Sequence, residues 1–226
     1  MVVLGIDTSA GLALGLIDSQ NLSGIGEYWN PDARSHAELL SLKIRDLLAE
    51  HEKSLDDVVA IVVGRGPAPF TGLRAGLVSA QTLGFALSVP VIGVCSLAGI
   101  ASGIATETGA ELIITSDARR KELYWAHYGP QLGIVHGPAV NRPEEIAIYA
   151  ATKELTVYGA AGQLYGEIFT DAGATLATGT VVPSGISLAR LGWQEHLNGN
   201  ENSLTPLYLR GPDAKVPTVR KQALQS

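Results

Sequence analysis

Gly64-Arg65-Gly66-Pro67-Ala68-Pro69-Phe70-Thr71-Gly72-Leu73-Arg74-Ala75-Gly76 stands between an apolar run, Val58 to Val63, and a helical pattern ending near Leu87. An apolar run of strand length, Gly/Pro punctuation and then helical periodicity read as strand, turn and helix. Such a turn presents the unpaired N–H groups of a helix's first turn at the carboxyl end of a strand, where phosphates bind. Two readings follow, a phosphate cradle and a rigid turn that sets helix packing. A P-loop carries Lys and then Ser or Thr after its last glycine, whereas Gly72 is followed by Leu73-Arg74. Pro67 and Pro69 have no N–H to offer. The rigid turn is the expectation, with Gly64 and Gly66 kept as candidate phosphate contacts.

The helix after the turn, Thr71 to Ser88, repeats Gly72, Gly76, Ala80 and Gly84, flanked by Leu73, Leu77, Leu83 and Leu87. A helical glycine costs roughly 0.5–1 kcal/mol relative to alanine, so this face predicts close approach of another backbone, from a helix or from the sheet beneath. Val78 and Phe85 form a second apolar patch beside Arg74 and Gln81, which gives the helix two packing surfaces. The preceding helix, Ser35 to His51, carries a core stripe of Leu40, Ile44, Leu47, Leu48 and His51. Leu39 and Leu42 lie on its other side with Ala49 and point to a partner.

Working outward, the chain opens with three strands, Val2–Ile6, Leu12–Ile17 and Ile25–Trp29. After the helix from Ser35, the strand at Val58 and the helix at Thr71, Pro90 precedes a fifth strand, Val91–Val94, and a small-residue helix from Ser96 to about Thr106. The second half begins again with Leu112–Ser116, Leu123–Tyr128 and Leu132–His136. A helix Pro143–Ala151, a strand Thr156–Gly159, a helix Ala161–Phe169, a weak strand Ala174–Val182 and a helix Ser187–Leu197 follow. Two βββαβαβ-type units make an α/β protein with the pattern of the actin-like ATPase (ASKHA) architecture, two RNase H-like subdomains around a cleft. The expected division is 1–104, a trimmed second unit 105–210, and a flexible tail 211–226.

An acid closes each unit's first strand, Asp7 (followed by Thr8 and Ser9) and Asp117. The pair could hold a magnesium ion or a water across a cleft, or each could cap its turn through its side chain; the cap is the expectation. No two of the five histidines stand three or four apart, and neither HExxH nor GxSxG occurs, so zinc-peptidase and serine-hydrolase chemistry have no support. Cys95 is the single cysteine, which excludes an internal disulfide. A net charge of −6 argues against a stand-alone nucleic-acid binder. With neither a basic amino-terminal region nor an 18-residue apolar run, a cytoplasmic protein with no membrane partner is expected.

The opening stretch resembles the motif GxGPGSFTGLRIG of the bacterial TsaB (YeaZ) family. Ile6-Asp7-Thr8-Ser9, Ser35-His36-Ala37-Glu38-Leu39-Leu40, Val89-Pro90-Val91-Ile92-Gly93-Val94 with Ser96-Leu97, Asp117-Ala118-Arg119-Arg120 and Pro206-Leu207-Tyr208-Leu209-Arg210 continue the resemblance in order. Ala68 and Pro69 depart from it, replacing glycine and serine. The resemblance implies an actin-like fold and a subunit with no independent enzyme activity. That subunit pairs with the catalytic paralogue TsaD, and with the ATPase TsaE, to place threonylcarbamoyl on the adenosine beside a tRNA anticodon. Ser96 and Ile100 occupy the positions of the paralogue's two metal-binding histidines, and neither can replace an imidazole ligand. The resemblance also implies pairing through the first two helices, here Leu39, Leu42, Gly72, Leu73, Gly76, Leu77, Ala80 and Gly84. On this reading Gly76→Leu or Ala80→Trp abolishes pairing and leaves the chain folded. The chain is expected to form a homodimer when its partner is missing. It should meet tRNA only through the complex, hold no cofactor tightly, and see ATP or ADP only at the complex boundary. The alternative is an independent actin-like ATPase or small-molecule kinase using Asp7, Asp117 and the cleft.

Overall fold

The structure, a computed structural model, describes residues 1–32, 36–179, 181–200 and 203–210, with the side chains of 36–38, 70–71 and 106–108 outside the description. The expected helix start at Ser35 and the expected tail at 211–226 lie outside the described residues.

Two five-stranded mixed sheets repeat one topology. The first contains β1 (Val2–Asp7), β2 (Leu12–Asp18), β3 (Gly24–Asn30), β4 (Val58–Gly64) and β5 (Val91–Val94) in the order β3-β2-β1-β4-β5. The second contains β6 (Leu112–Asp117), β7 (Leu123–Tyr128), β8 (Ile134–Asn141), β9 (Thr156–Gly159) and β10 (Thr175–Leu176) in the order β10-β9-β6-β7-β8. In each, the first strand pairs antiparallel with the second and parallel with the fourth. That is the expected βββαβαβ repeat. The weak strand read over Ala174–Val182 shrinks to β10, which pairs only through Thr175 and Leu176.

Every residue of β1 is buried, and its side chains alternate between two cores as a strand's period of two requires. Val2, Leu4 and Ile6 face α1 (His36–Glu50) and α2 (Phe70–Leu87), meeting Leu40, Ile44, Leu47, Leu73 and Leu77. Val3, with Ala60, Val62 and Ile92, faces Leu188 and Ala189 of α6 (Gly185–Leu197). The second sheet likewise packs Ile113, Trp125 and Val157 against α4 (Pro143–Thr152) and α5 (Ala160–Asp171), which supply Ile146, Ala147, Ala150, Ala161 and Phe169. Its other face, Leu112, Ile114, Tyr124 and Tyr128, meets Leu97, Ile100 and Ala101 of α3 (Ser96–Thr108).

The expected division near residue 104 follows the chain, and the helix packing crosses it. α3 lies on the second sheet and α6 on the first, and the two helices touch between the sheets, with Ser102 Oγ donating to the Ser187 carbonyl at 3.2 Å. Small residues permit this crossing. Gly185 at the start of α6 rests on the β1–β2 hairpin, where an added Cβ would lie 2.6 Å from the Leu14 carbonyl oxygen and closer still to the neighbouring backbone. Gly5 and Gly15 face the same helix start with equally little room.

After α6 the chain returns over the first lobe. The Leu207 N–H donates to the Arg65 carbonyl at 2.8 Å, and Leu204 packs into the first core. Arg210 then reaches the second lobe, donating to the Ala118 carbonyl at 2.9 Å and pairing with Glu122.

Candidate functional site

The opening stretch is a turn whose Arg65 and Gly66 amides are used within the chain. The Arg65 N–H donates to the Val94 carbonyl at 2.8 Å. The Gly66 N–H donates to Ser96 Oγ at 3.2 Å, and the Ser96 N–H donates back to the Gly66 carbonyl at 2.8 Å. With the prolines lacking an N–H, the Arg65 and Gly66 amides are directed into the fold rather than toward a ligand. Asp7, Gly64 and Gly66 come together here around Ser96, with Ser9 bonded to Asp7 and Thr8 turned instead to α2. Asp7 is buried and its Oδ1 accepts the Ser9 N–H at 2.7 Å. Asp117, on the other lobe, accepts the Arg119 N–H at 2.8 Å and pairs with the Arg119 guanidinium at 3.0 Å. Both acids close their turns with the same two-residue side-chain bond.

Thr8 explains the glycine face of α2. Its hydroxyl donates to the Gly72 carbonyl at 2.9 Å, and its side chain fills the space where Gly76 would carry a Cβ. Gly84 likewise leaves room for Val91, while Leu73, Leu77 and Ala80 are buried in the first core. This corrects the expected pairing residues. Leu73, Gly76, Leu77, Ala80 and Gly84 face the chain's own core, and the close approach that called for small residues is made within the chain, by the side chains of Thr8 and Val91 rather than by a second backbone. Gly76→Leu is therefore expected to destabilise the chain itself, by about 1–3 kcal/mol or more for an overpacked contact. A thermal melt of the isolated variant reads this as a lowered Tm; an unchanged Tm would refute the packing.

The surface that α2 leaves free is its other face. Val78 is 60% exposed and Phe85 89%, with Arg74 and Gln81 exposed beside them. On α1, Leu42 is 40% exposed, whereas Leu39 packs against the first core. Between the helices runs a groove of 510 Å³ lined by Leu40, Ile44, Leu55, Val78, Leu83 and Ala86, among others. The returning chain extends the same face, since Arg74 Nε donates to the Tyr208 hydroxyl at 2.8 Å and the guanidinium lies 5.6 Å from the Tyr208 ring centre. The sequence held a signal for Val78 and Phe85, an apolar pair seven apart. It held none for Tyr208, which arrives from far along the chain.

A second candidate region is the cleft between the lobes, 390 Å³, walled by Ala10, Trp29 and Pro31 on one side and by Ile100, Thr115, Ser116, Asp117 and Leu164 on the other. Among the described residues no three His, Cys, Asp or Glu side chains gather as a metal site would require, and no helix is long and apolar enough to cross a membrane.

Two lobes built on one repeated mixed sheet, with a cleft between them, define a protein of the actin-like ATPase architecture. A ROK hexokinase from Thermus thermophilus shares that fold, with a TM-score of 0.50 at 12% identity over 88% of this chain and 100% of that one. The model of the family described as "TsaD: tRNA N6-adenosine threonylcarbamoyltransferase" matches residues 30–186. The chain belongs to this family, in its TsaB (YeaZ) branch. An uncharacterised protein of Mycobacterium tuberculosis is 40% identical over 94% of this chain and 93% of its own length. The tRNA threonylcarbamoyladenosine biosynthesis protein TsaB of Escherichia coli is 29% identical over 93% and 95%. The solved YeaZ of Pseudomonas aeruginosa superposes with a TM-score of 0.75 at 29% identity, covering 92% of this chain and 100% of that one.

Proposed function

We propose that this chain is the non-catalytic pairing subunit of a complex that makes threonylcarbamoyladenosine in tRNA. Its role in that modification follows from its TsaB-branch relatives. The pairing is with a TsaD-like paralogue that carries the catalytic site, and a TsaE-like ATPase serves the same complex. The observation that carries the reading is the apolar face of α1 and α2, where Phe85 at 89% and Val78 at 60% exposure project from the side of α2 turned away from its own sheet. Covering a side chain of this kind stabilises an association by roughly 1.5–3 kcal/mol, and large apolar groups grouped on one face mark a partner site. The same face joins two copies of the chain when the paralogue is missing.

The absence of catalysis rests on α3. Its first residue, Ser96, spends its hydroxyl on the Gly66 amide, and Ile100 sits in the core under the cleft. At the two positions where the resemblance places metal-binding histidines, neither side chain offers an imidazole nitrogen. Any ATP or ADP then belongs to the boundary of the complex, and tRNA is met through the partner.

Reconstitution tests this reading. Threonylcarbamoyl transfer to tRNA is measured with the paralogue and the ATPase, with and without this chain. Transfer is expected only in its presence; equal transfer in both tubes sinks the proposal.

A further inference from the structure

Apart from the pairing face and the cleft, a third cavity of 360 Å³ opens where β5, β7 and the end of α6 meet. Its polar walls have unmet bonding capacity. Arg65 donates from Nη1 to the Thr205 carbonyl at 3.3 Å; its Nε, closed off from solvent, has no partner among the described residues, and the guanidinium lines the cavity without an acid bonded to it there. Glu195, half-buried on the same cavity, makes no hydrogen bond or ion pair through its carboxylate among the described residues, and Arg65 and Glu195 make none with each other. Burial pushes the Glu195 carboxyl above its ordinary range, and the Arg65 guanidinium opposes that rise. Opposite charges therefore share one cavity without touching. Among the described residues, the Tyr128 hydroxyl on the same wall meets the Cys95 thiol at 3.9 Å and no other polar partner. An arginine and a glutamate that line one cavity without bonding each other leave a space suited to a ligand that bonds both.

The two charges set the chemistry. A phosphate would meet the Glu195 carboxylate, and a divalent cation would meet the Arg65 guanidinium with a single acid to hold it. A small molecule carrying both signs satisfies both walls, and Leu132 and Ile134 leave an apolar side for the rest of it. We propose that this cavity binds a free α-amino acid with an apolar side chain, its carboxylate on Arg65, its ammonium on Glu195 and its side chain against Leu132 and Ile134. The proposal is independent of the pairing role, since none of these residues lies on the α1–α2 face.

Thermal melts of the full chain test it, with each standard L-amino acid added as probe at about 10 mM; ligand bound only to the folded state raises Tm with concentration. One or more apolar amino acids are expected to raise Tm. Their amides and N-acetyl derivatives, which each lack one charge, should not. Glu195→Gln should weaken the effect about tenfold or more, as loss of a charge-assisted bond does. Glu195→Gln removes a carboxylate whose ionised form is disfavoured by burial, so at neutral pH the variant is expected to melt no lower than the parent. A flat Tm with every probe overturns the proposal and leaves water as the occupant. A rise that persists with blocked amino acids or in Glu195→Gln overturns it too, because the ligand then binds elsewhere.

Discussion

Phe85→Asp combined with Val78→Asp should abolish association, both with the catalytic paralogue and between two copies of the chain, while leaving Tm near that of the parent. Both side chains point away from the first core, at 89% and 60% exposure, so the isolated fold loses almost no burial. In a complex the same two side chains would each lose the roughly 1.5–3 kcal/mol of a buried apolar group. Their replacements would also carry charge into an apolar contact, at a cost of several kcal/mol. Affinity falls tenfold for every 1.4 kcal/mol, so the combined loss should exceed a thousandfold. Light scattering or sedimentation reads the oligomeric state and co-purification the paralogue; pairing that survives with parental affinity would rule this face out. Gly76→Leu serves as the contrast, because it should lower Tm before it touches pairing.

Gly185→Val is expected to cause the largest loss of stability in the chain. The start of α6 lies backbone against backbone on the β1–β2 hairpin, with Gly5, Gly15 and Gly185 at the contact. A flexible side chain can move aside, whereas a hydrogen-bonded strand cannot. A branched side chain there must lift α6 and uncover Leu188 and Ala189 from Val3, Ile17 and Val62. About 3 kcal/mol or more should be lost, a large part of the 5–15 kcal/mol that holds a typical domain. Urea unfolding of the variant measures it. Gly133→Ala, where an added Cβ meets nothing within 4 Å, should change stability by under about 1 kcal/mol. Equal behaviour of the two variants would disprove the contact.

Element order was legible because each strand and helix advertises its own period. β1 and β4 read as apolar runs because they are central strands buried on both faces, and α1 and α2 end within a residue of where the pattern stops. The candidate site was less legible. Glycines at every fourth position state that something comes close to the helix; they do not state what. Thr8 and Val91 supply the answer for Gly76 and Gly84; Thr8 lies far from Gly76 in the chain, and Val91 reaches Gly84 only because the chain folds back after Pro90. Taking the small residues for a partner's footprint misread a contact inside the chain.

The amino-acid sequence by itself determined the class, the repeated strand and helix order, and the family, through motifs that are local in the chain. It also set the expectation that the opening stretch is a poor phosphate cradle, because the two prolines and the missing lysine can be read from the residues alone. Only the tertiary structure decided which face of α2 is free, that α3 and α6 pack across the two halves, and that Tyr208 joins Arg74. The reason is physical. Periodicity says that a face is apolar or small, but burial is settled by whichever segment folds onto that face, and here the turn at Thr8, distant in the chain, and the strand at Val91, which folds back just after the helix, occupy the space beside the glycines.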